Sequence, residues 1–312
     1  MPSASIITPL FNKGPYVAET IRSVLAQTMP DWEMIVVENG STDQGPEVAR
    51  QFSDVRVRLV DSPKRGPGAA RNFGLGLATG EWVLFLDADD LLEPGYLAAR
   101  LADSASVPQA QIIAGCWQEF SDGSPDIFSP GWPTGWGCDT GTVLDYAIGA
   151  APWILHAALV RRNWITAERG WPEALDRLPS EDVAFWFQII LGAQVAWSGH
   201  TGALYRVATP TSRNAFRGAD TRTQAVGAVI EHNLEFLRSR GATPTPGQCQ
   251  TLMRVFEDTY RWALAAQAGE SAQSALRQAE TWLRRCTADG MALSLRKILG
   301  LRLFNLVRFG AW

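Results

Sequence analysis

The chain has 312 residues, of which 46% are hydrophobic and 19% charged. That is enough apolar material for one large α/β domain with an appendage, and it excludes a disordered or fibrous chain. Its 28 basic and 32 acidic residues leave a net charge of −4, which argues against a nucleic-acid surface running along the whole chain. Only Lys13, Lys64 and Lys297 among the basic residues are Lys, and Trp occurs 13 times. Cys116, Cys138, Cys249 and Cys286 form no C-x-x-C pair and have no His cluster beside them, so neither zinc nor a disulfide framework is expected. The opening residues lack the basic-then-apolar layout of a secretory leader. No apolar run reaches about 18 residues, so a cytoplasmic chain with reduced thiols and no membrane span is expected.

Strand and helix signals alternate over residues 1–117. Ser5–Thr8 is a short β-branched run, followed by Val17, Ile21, Val24 and Leu25 at helical spacing. Glu33–Glu38 reads as a buried strand that ends in the polar turn Asn39-Gly40-Ser41-Thr42-Asp43. Val55–Val60 is a third strand, Gly66–Ala78 a turn and helix, and Trp82–Leu86 a fourth strand stopped by Asp87-Ala88-Asp89-Asp90. Repeated β-turn-α units predict an α/β fold with a mostly parallel sheet and flanking helices. Functional residues then belong at the carboxyl ends of the strands.

Residues 118–215 are less regular. Gly131–Gly141 reads as an ordered loop, and Val183–Leu191 as an apolar helix. From residue 216 the pattern is all-helical, over Thr221–Arg240, Pro246–Gln267, Ser271–Cys286 and Met291 to the end. The expected division is a domain over 1–215, with halves 1–117 and 118–215, and a helical region over 216–312. The tail 291–312 holds Arg296, Lys297, Arg302 and Arg308 and no acid; the rest of the chain, with 24 basic and 32 acidic residues, carries −8. Leu295, Leu299, Leu303, Leu306 and Val307 share one helical face, although Arg296 falls on that face and Ile298 and Leu301 fall opposite. Peripheral membrane contact, contact with a second copy, and packing within the chain are all open for such a helix.

Two acidic motifs carry chemistry. At the end of the fourth strand, Asp87, Asp89 and Asp90 crowd together, so their charges repel unless a cation or a proton relieves them. Mg²⁺ or Mn²⁺ suits such a site, because these ions take one or two protein carboxylates and complete their shell with phosphate oxygens and water. Helix capping ahead of Leu91-Leu92-Glu93-Pro94 is the alternative. Glu181-Asp182 behind Ser180 has the same two readings, as a catalytic carboxylate or as the capped first turn of a helix. Gly66-Pro67-Gly68-Ala69-Ala70-Arg71 is a near miss to a dinucleotide fingerprint, since Arg71 stands where the third glycine would be. His156, His200 and His232 are read as packed or surface residues. Trp186, amid Val183, Phe185, Phe187 and Ile189, is expected in the core.

Several stretches occur in order: Thr8-Pro9-Leu10-Phe11-Asn12, Val36 to Asp43, Gly68 to Gly74, and Ala78 to Trp82 leading into Asp87-Ala88-Asp89-Asp90. Looser matches follow at 160–162, 170–173, 180–182 and 204–206. Together these resemble the inverting glycosyltransferases of family 2, which have the GT-A fold. The resemblance implies that Thr8, Pro9, Leu10, Asn12, Glu38, Asn39 and Ser41 cradle the nucleoside of a nucleoside diphosphate sugar, UDP-sugar favoured. It implies Arg71 near the base or diphosphate, Asp87 and Ala88 near the ribose, and Asp89, with Asp87, on a Mn²⁺ or Mg²⁺ ion. Asp182, with Glu181 as the second choice, becomes the base that deprotonates the acceptor. The acceptor is a hydroxyl of a glycan or lipid-linked glycan in cell-surface polysaccharide synthesis, and Trp132, Trp136 and Arg206 are candidates to contact it. Such a protein would work in the cytoplasm, or peripherally at the inner face of the membrane.

The chain departs from the family pattern at two places. Asn39 stands where a second Asp is common, and Ala208 where His often follows Tyr-Arg; Arg206, Ser212 and Arg213 are candidates to replace that contact. A nucleotidyltransferase is a competing reading, but it usually has a Gly-rich loop directly after the first strand. A non-catalytic glycan-binding protein is the other, against which the intact Asp87, Asp89 and Asp182 argue.

Overall fold

The computed structural model describes residues 1–121, 124–130, 140–207 and 218–286, together with scattered positions between 293 and 305. The chain forms two compact units. The first comprises Met1–Cys138, Trp153–Arg177 and Ile189–Ala215, and the second Asp139–Pro152, Leu178–Gln188 and Phe216–Trp312.

The first unit opens with β1 (Ala4–Leu10), α1 (Gly14–Leu25), β2 (Trp32–Glu38), α2 (Gly45–Arg50), β3 (Val57–Asp61), α3 (Pro67–Leu77) and β4 (Trp82–Phe85). These four strands are parallel, in the order β3-β2-β1-β4. Their apolar runs follow from burial on both faces: Ile6, Ile7, Met34, Ile35, Val36, Val37, Val83 and Leu84 are fully buried. On α1, Val17, Ile21 and Val24 are buried and lie on one face, at the predicted spacing.

The sheet continues through β5 (Leu91–Leu92), β6 (Ile112–Ser121), β7 (Ser124–Pro130), β8 (Ala158–Arg161) and β9 (Val195–Arg206), with α4 (Tyr96–Ser106) between β5 and β6. The full order is β3-β2-β1-β4-β8-β6-β9-β5, with β7 beside β6. Here the pairing is mixed: β8 is antiparallel to β4 and β6, β5 is antiparallel to β9, and β9 is parallel to β6. The stretch that reads as less regular thus contributes β7, β8 and β9 to the sheet. β9 conceals itself because its centre, Ser198-Gly199-His200-Thr201-Gly202, lacks apolar alternation. The β6–β9 register is also broken between Gly115 and Trp117.

The second unit contains α5 (Thr140–Ala147), the start of α6 (Glu181–Ile190), α7 (Ala219–Ser239), α8 (Pro246–Ala265) and α9 (Gly269–Arg285). α8 begins at the expected proline, behind a capping box in which Thr245 and Gln248 bond each other's backbone. Of the tail 291–312, only part lies within the described residues. There Leu293, Leu301 and Phe304 are buried, Arg296 pairs at 3.0 Å with buried Glu257, and Lys297 donates to the Cys286 carbonyl. Glu257 accounts for a cation on the apolar face: burying Arg296 there neutralises a carboxylate that water does not reach. No described helix is long and apolar enough to cross a membrane.

Candidate active site

Two turns at the carboxyl edge of the sheet are tied together. Asn12, after β1, has φ +52°, a conformation that Asn tolerates better than most residues. Its Oδ1 accepts from the Thr42 backbone N–H at 2.8 Å, and its own N–H donates to Ser41 Oγ at 3.2 Å. After β2, Glu38 accepts from the Gly40 and Ser41 backbones and from Ser41 Oγ. Asn39 donates to the Lys64 carbonyl at 2.9 Å and accepts from the Gly66 N–H at 2.8 Å. Both ends of the Asn39 carboxamide therefore pin the 62–66 loop. Thr8 and Leu10 are fully buried beneath these turns, and Pro9 is half-buried. Phe11 stands 55% exposed at their lip.

Behind β4, each carboxylate of the acid cluster meets a different partner. Arg71 Nη2 donates to Asp87 Oδ1 at 2.7 Å. Lys13 Nζ ion-pairs with Asp89, and both side chains are mostly buried. Burial pushes the Asp89 carboxyl up, Lys13 opposes that, and the charge of Asp87 adds to it. Asp90 is almost fully buried, and its carboxyl is raised well above the usual range by burial and by its two acidic neighbours. Ala88 is buried between them. Leu91–Leu92 is strand β5, and the next helix begins only at Tyr96, so these acids do not cap a helix.

Asp90 and His156 form a buried couple. His156 is fully buried, and burial pushes it down to about 4, so it is neutral near pH 7. Its Nε2 lies 3.1 Å from the Leu204 carbonyl and therefore carries the hydrogen, which leaves Nδ1 as an acceptor. Asp90 Oδ2 faces Nδ1 at 3.3 Å, and Asp90 Oδ1 accepts from the Arg206 backbone N–H at 2.8 Å. A protonated Asp90 satisfies both contacts. Asp90→Asn, which keeps an acceptor and a donor in the same shape, is expected to leave Tm within about 2 °C. Asp90→Ala orphans both partners and is expected to lower Tm by about 3–8 °C, from roughly 1–3 kcal/mol per orphaned buried group. Differential scanning calorimetry of the two variants checks this, and an Asn variant as unstable as the Ala variant would contradict the protonation.

Arg206 also donates through Nε to the Asp89 carbonyl at 2.7 Å and through Nη2 to Glu19 at 2.7 Å. Its guanidinium lies 4.9 Å from the Tyr16 ring centre and 4.5 Å from that of Phe120. Arg206, named above as an acceptor contact, is buried and braces the backbone of Asp89.

The glycines before α3 have a local purpose. Asp176 accepts from the Gly68 and Ala69 N–H groups at 2.8 and 3.0 Å and so caps α3 from 108 residues away. A Cβ on Gly66 (φ +126°) would lie 2.0 Å from Asp176 Oδ2, and one on Gly68 2.4 Å from Oδ1. The protein's own carboxylate thus takes the place a phosphate has in a dinucleotide fingerprint. Arg71, four residues into α3, lies 4.2 Å from the Trp171 ring centre. Trp171 meets Phe85 edge to face, and its backbone N–H and C=O are both bonded by the Asn72 side chain. Arg71 is therefore held against Asp87 by stacking as well as by charge.

In the second unit, Ser180 has φ +69°, outside the extended backbone usual for an N-cap. Glu181 and Asp182 form the first turn of α6, Glu181 buried and Asp182 half-buried. Non-glycine residues with positive φ cluster at functional sites. Of the three described here, Asn12 and Ser180 adjoin proposed site residues. Trp186 is fully buried, as expected. Trp132, Trp136, Ala208, Ser212 and Arg213 lie outside the described residues.

The parallel half, the mixed continuation and the charged carboxyl edge together define the GT-A fold. Residues 5–148 match the family model described as glycosyl transferase family 2. Over 125 residues the chain is 34% identical to the uncharacterized glycosyltransferase EpsJ of Bacillus subtilis, covering 39% of this chain and 36% of EpsJ. Over 113 residues it is 36% identical to the succinoglycan biosynthesis protein ExoO of Rhizobium meliloti, covering 36% of this chain and 32% of ExoO. The matched segment thus spans about a third of these curated relatives. Among solved structures, S. aureus TarS 1–349 with UDP-GlcNAc superposes with a TM-score of 0.61 at 19% identity, over 91% of this chain and 92% of that one. The mannosyltransferase PcManGT of Pyrobaculum calidifontis, with GDP-Man and Mn²⁺, gives 0.56 at 20% identity, over 99% and 81%.

Proposed function

We propose that the chain is an inverting, metal-assisted glycosyltransferase. It moves one sugar from a nucleoside diphosphate donor, UDP-sugar favoured, to a hydroxyl of a glycan or lipid-linked glycan in cell-surface polysaccharide synthesis. The observation that carries the reading is the pair Asp87 and Asp89 at the end of β4, each already facing a cation. Such carboxylates are hard oxygen donors that fit Mn²⁺ or Mg²⁺. Among the described residues no three acidic, His or Cys side chains are placed to hold an ion by themselves; Mn²⁺ and Mg²⁺ commonly take one or two protein carboxylates and fill the shell with phosphate oxygens and water. When bound, the ion supplies Lewis-acid stabilisation of the departing diphosphate.

In this reading Asp89, with Asp87, holds the ion, and Arg71 faces the diphosphate. The turns 8–12 and 38–41 shape the nucleoside pocket. Asn39 uses one N–H and one Oδ1 lone pair on the 62–66 loop, which leaves a second donor and acceptor for a base. Asp182, rather than Glu181, takes the acceptor proton. Residues 1–215 form the transferase domain, with a nucleotide half over 1–117 and an acceptor half over 118–215 that includes Trp132 and Trp136. Residues 216–312 form its helical extension. The tail 291–312 is the candidate for peripheral contact with the inner membrane face or with a second copy.

A panel of nucleoside diphosphates with Mn²⁺ tests the reading by thermal shift. One diphosphate at 100 times its Kd stabilises by about 2.7 kcal/mol, a rise of several degrees. No shift with any member would overturn the donor site, and pyrophosphate release on turnover would point to nucleotidyl transfer instead.

A further inference from the structure

Lys13 pairs with the proposed metal carboxylate, Asp89, and local contacts fix its place. Its neighbours on both sides are fixed to the 41–43 turn. Asn12 bonds Thr42 and Ser41 as described, and the Gly14 N–H donates to Asp43 Oδ2 at 2.7 Å. The backbone at Lys13 is neither helical nor strand, and its side chain leaves the start of α1 toward the end of β4. There the ammonium meets Asp89, with 17% and 14% of the two side chains exposed, over a Tyr16 ring whose centre lies 5.8 Å away. The same ring faces the Arg206 guanidinium.

We propose that Lys13 is a resident counter-ion for Asp89, displaced when a divalent ion takes that carboxylate and then paired with the diphosphate of the donor. The proposal rests on reading Asp89 as the metal carboxylate. Its basis is the ion pair that already occupies the carboxylate: Lys13 faces Asp89, as Arg71 faces Asp87. A divalent ion added alone brings surplus positive charge into a poorly solvated place and must also break an existing ion pair. A diphosphate brings the missing negative charge and gives the freed ammonium a new partner. Lys suits this exchange better than Arg, because its compact ammonium on a flexible stem carries no fixed fork geometry. The consequence is ordered synergy: the ion binds weakly to the empty protein and well in the presence of the diphosphate.

The test needs no turnover. Binding of Mn²⁺ alone, followed by electron paramagnetic resonance, and of metal-free pyrophosphate, followed by calorimetry, are measured for the unaltered protein and for Lys13→Met, Lys13→Gln and Asp89→Asn. Lys13→Met and Lys13→Gln should both bind Mn²⁺ about tenfold more tightly and pyrophosphate about tenfold more weakly, a coupling of ordinary size. Opposite changes in the two ligands are a signature that general loss of structure does not give. If both Lys13 variants leave both constants within about twofold while Asp89→Asn abolishes Mn²⁺ binding, the counter-ion role is refuted and the metal carboxylate stands. If Asp89→Asn binds Mn²⁺ as well as the unaltered protein does, the metal reading itself fails, and this inference fails with it.

Discussion

Asp182→Asn should abolish sugar transfer while leaving the donor half intact. A general base accounts for roughly 10²–10⁴-fold in rate, so kcat should fall by that factor. The amide has the shape of the carboxylate but cannot accept a proton. Asp182 is half-buried in the first turn of α6, where the preceding Ser180 holds a left-handed backbone. A negative charge there also favours the helix dipole, worth about 0.3–1 kcal/mol, so a Tm drop of no more than about 2–4 °C is expected. Steady-state assays beside thermal melts separate the two readings of this residue. A variant that melts early but transfers sugar normally would make Asp182 a structural acid. The same substitution at Glu181 should have the smaller kinetic effect; if it has the larger, the two roles exchange.

Asp89→Asn should act at the other end of the reaction. If Asp89 holds the ion as proposed, its loss would remove several kcal/mol of stabilisation from the departing diphosphate, about 10³-fold in kcat/KM. Mn²⁺-dependent binding of the nucleoside diphosphate should weaken in parallel, which Asp182→Asn does not cause. The contrast is measurable by calorimetry with and without EDTA. Transfer by Asp89→Asn at the unaltered rate, or full activity of the unaltered protein in EDTA, would remove the ion from the reaction.

The parallel half of the fold is legible in the sequence because its strands are short, apolar and ended by polar turns, as at Asn39–Asp43 and Asp87–Asp90. The acid cluster is legible for the same reason. The mixed half is not, because β9 runs through Ser198–Gly202 without alternation and its pairing with β6 breaks at Gly115. Contacts between residues distant in sequence stay hidden from any local pattern. Lys13 meets Asp89 across 76 positions, and nothing around Lys13 announces it except the scarcity of Lys in an Arg-rich chain. His156 reads as a lone packed histidine, and it is packed, but against Asp90. Asn39 reads as a residue of the nucleoside pocket, and its carboxamide is also tied to the 62–66 loop, a contact that no local pattern shows. The Gly66–Gly68 turn reads as a weak phosphate cradle until Asp176 is seen to fill it.

That carboxylate carries a lesson about where this protein can be cut. The match to the family model ends at residue 148, yet the α3 cap comes from Asp176, the platform beneath Arg71 from Trp171, and the brace on Asp89 from Arg206. The stretch that matches the family model is therefore shorter than the stretch that must fold for it to hold its shape. A fragment trimmed to the homologous boundary would keep every acid of the cluster and lose the scaffolding that aims them.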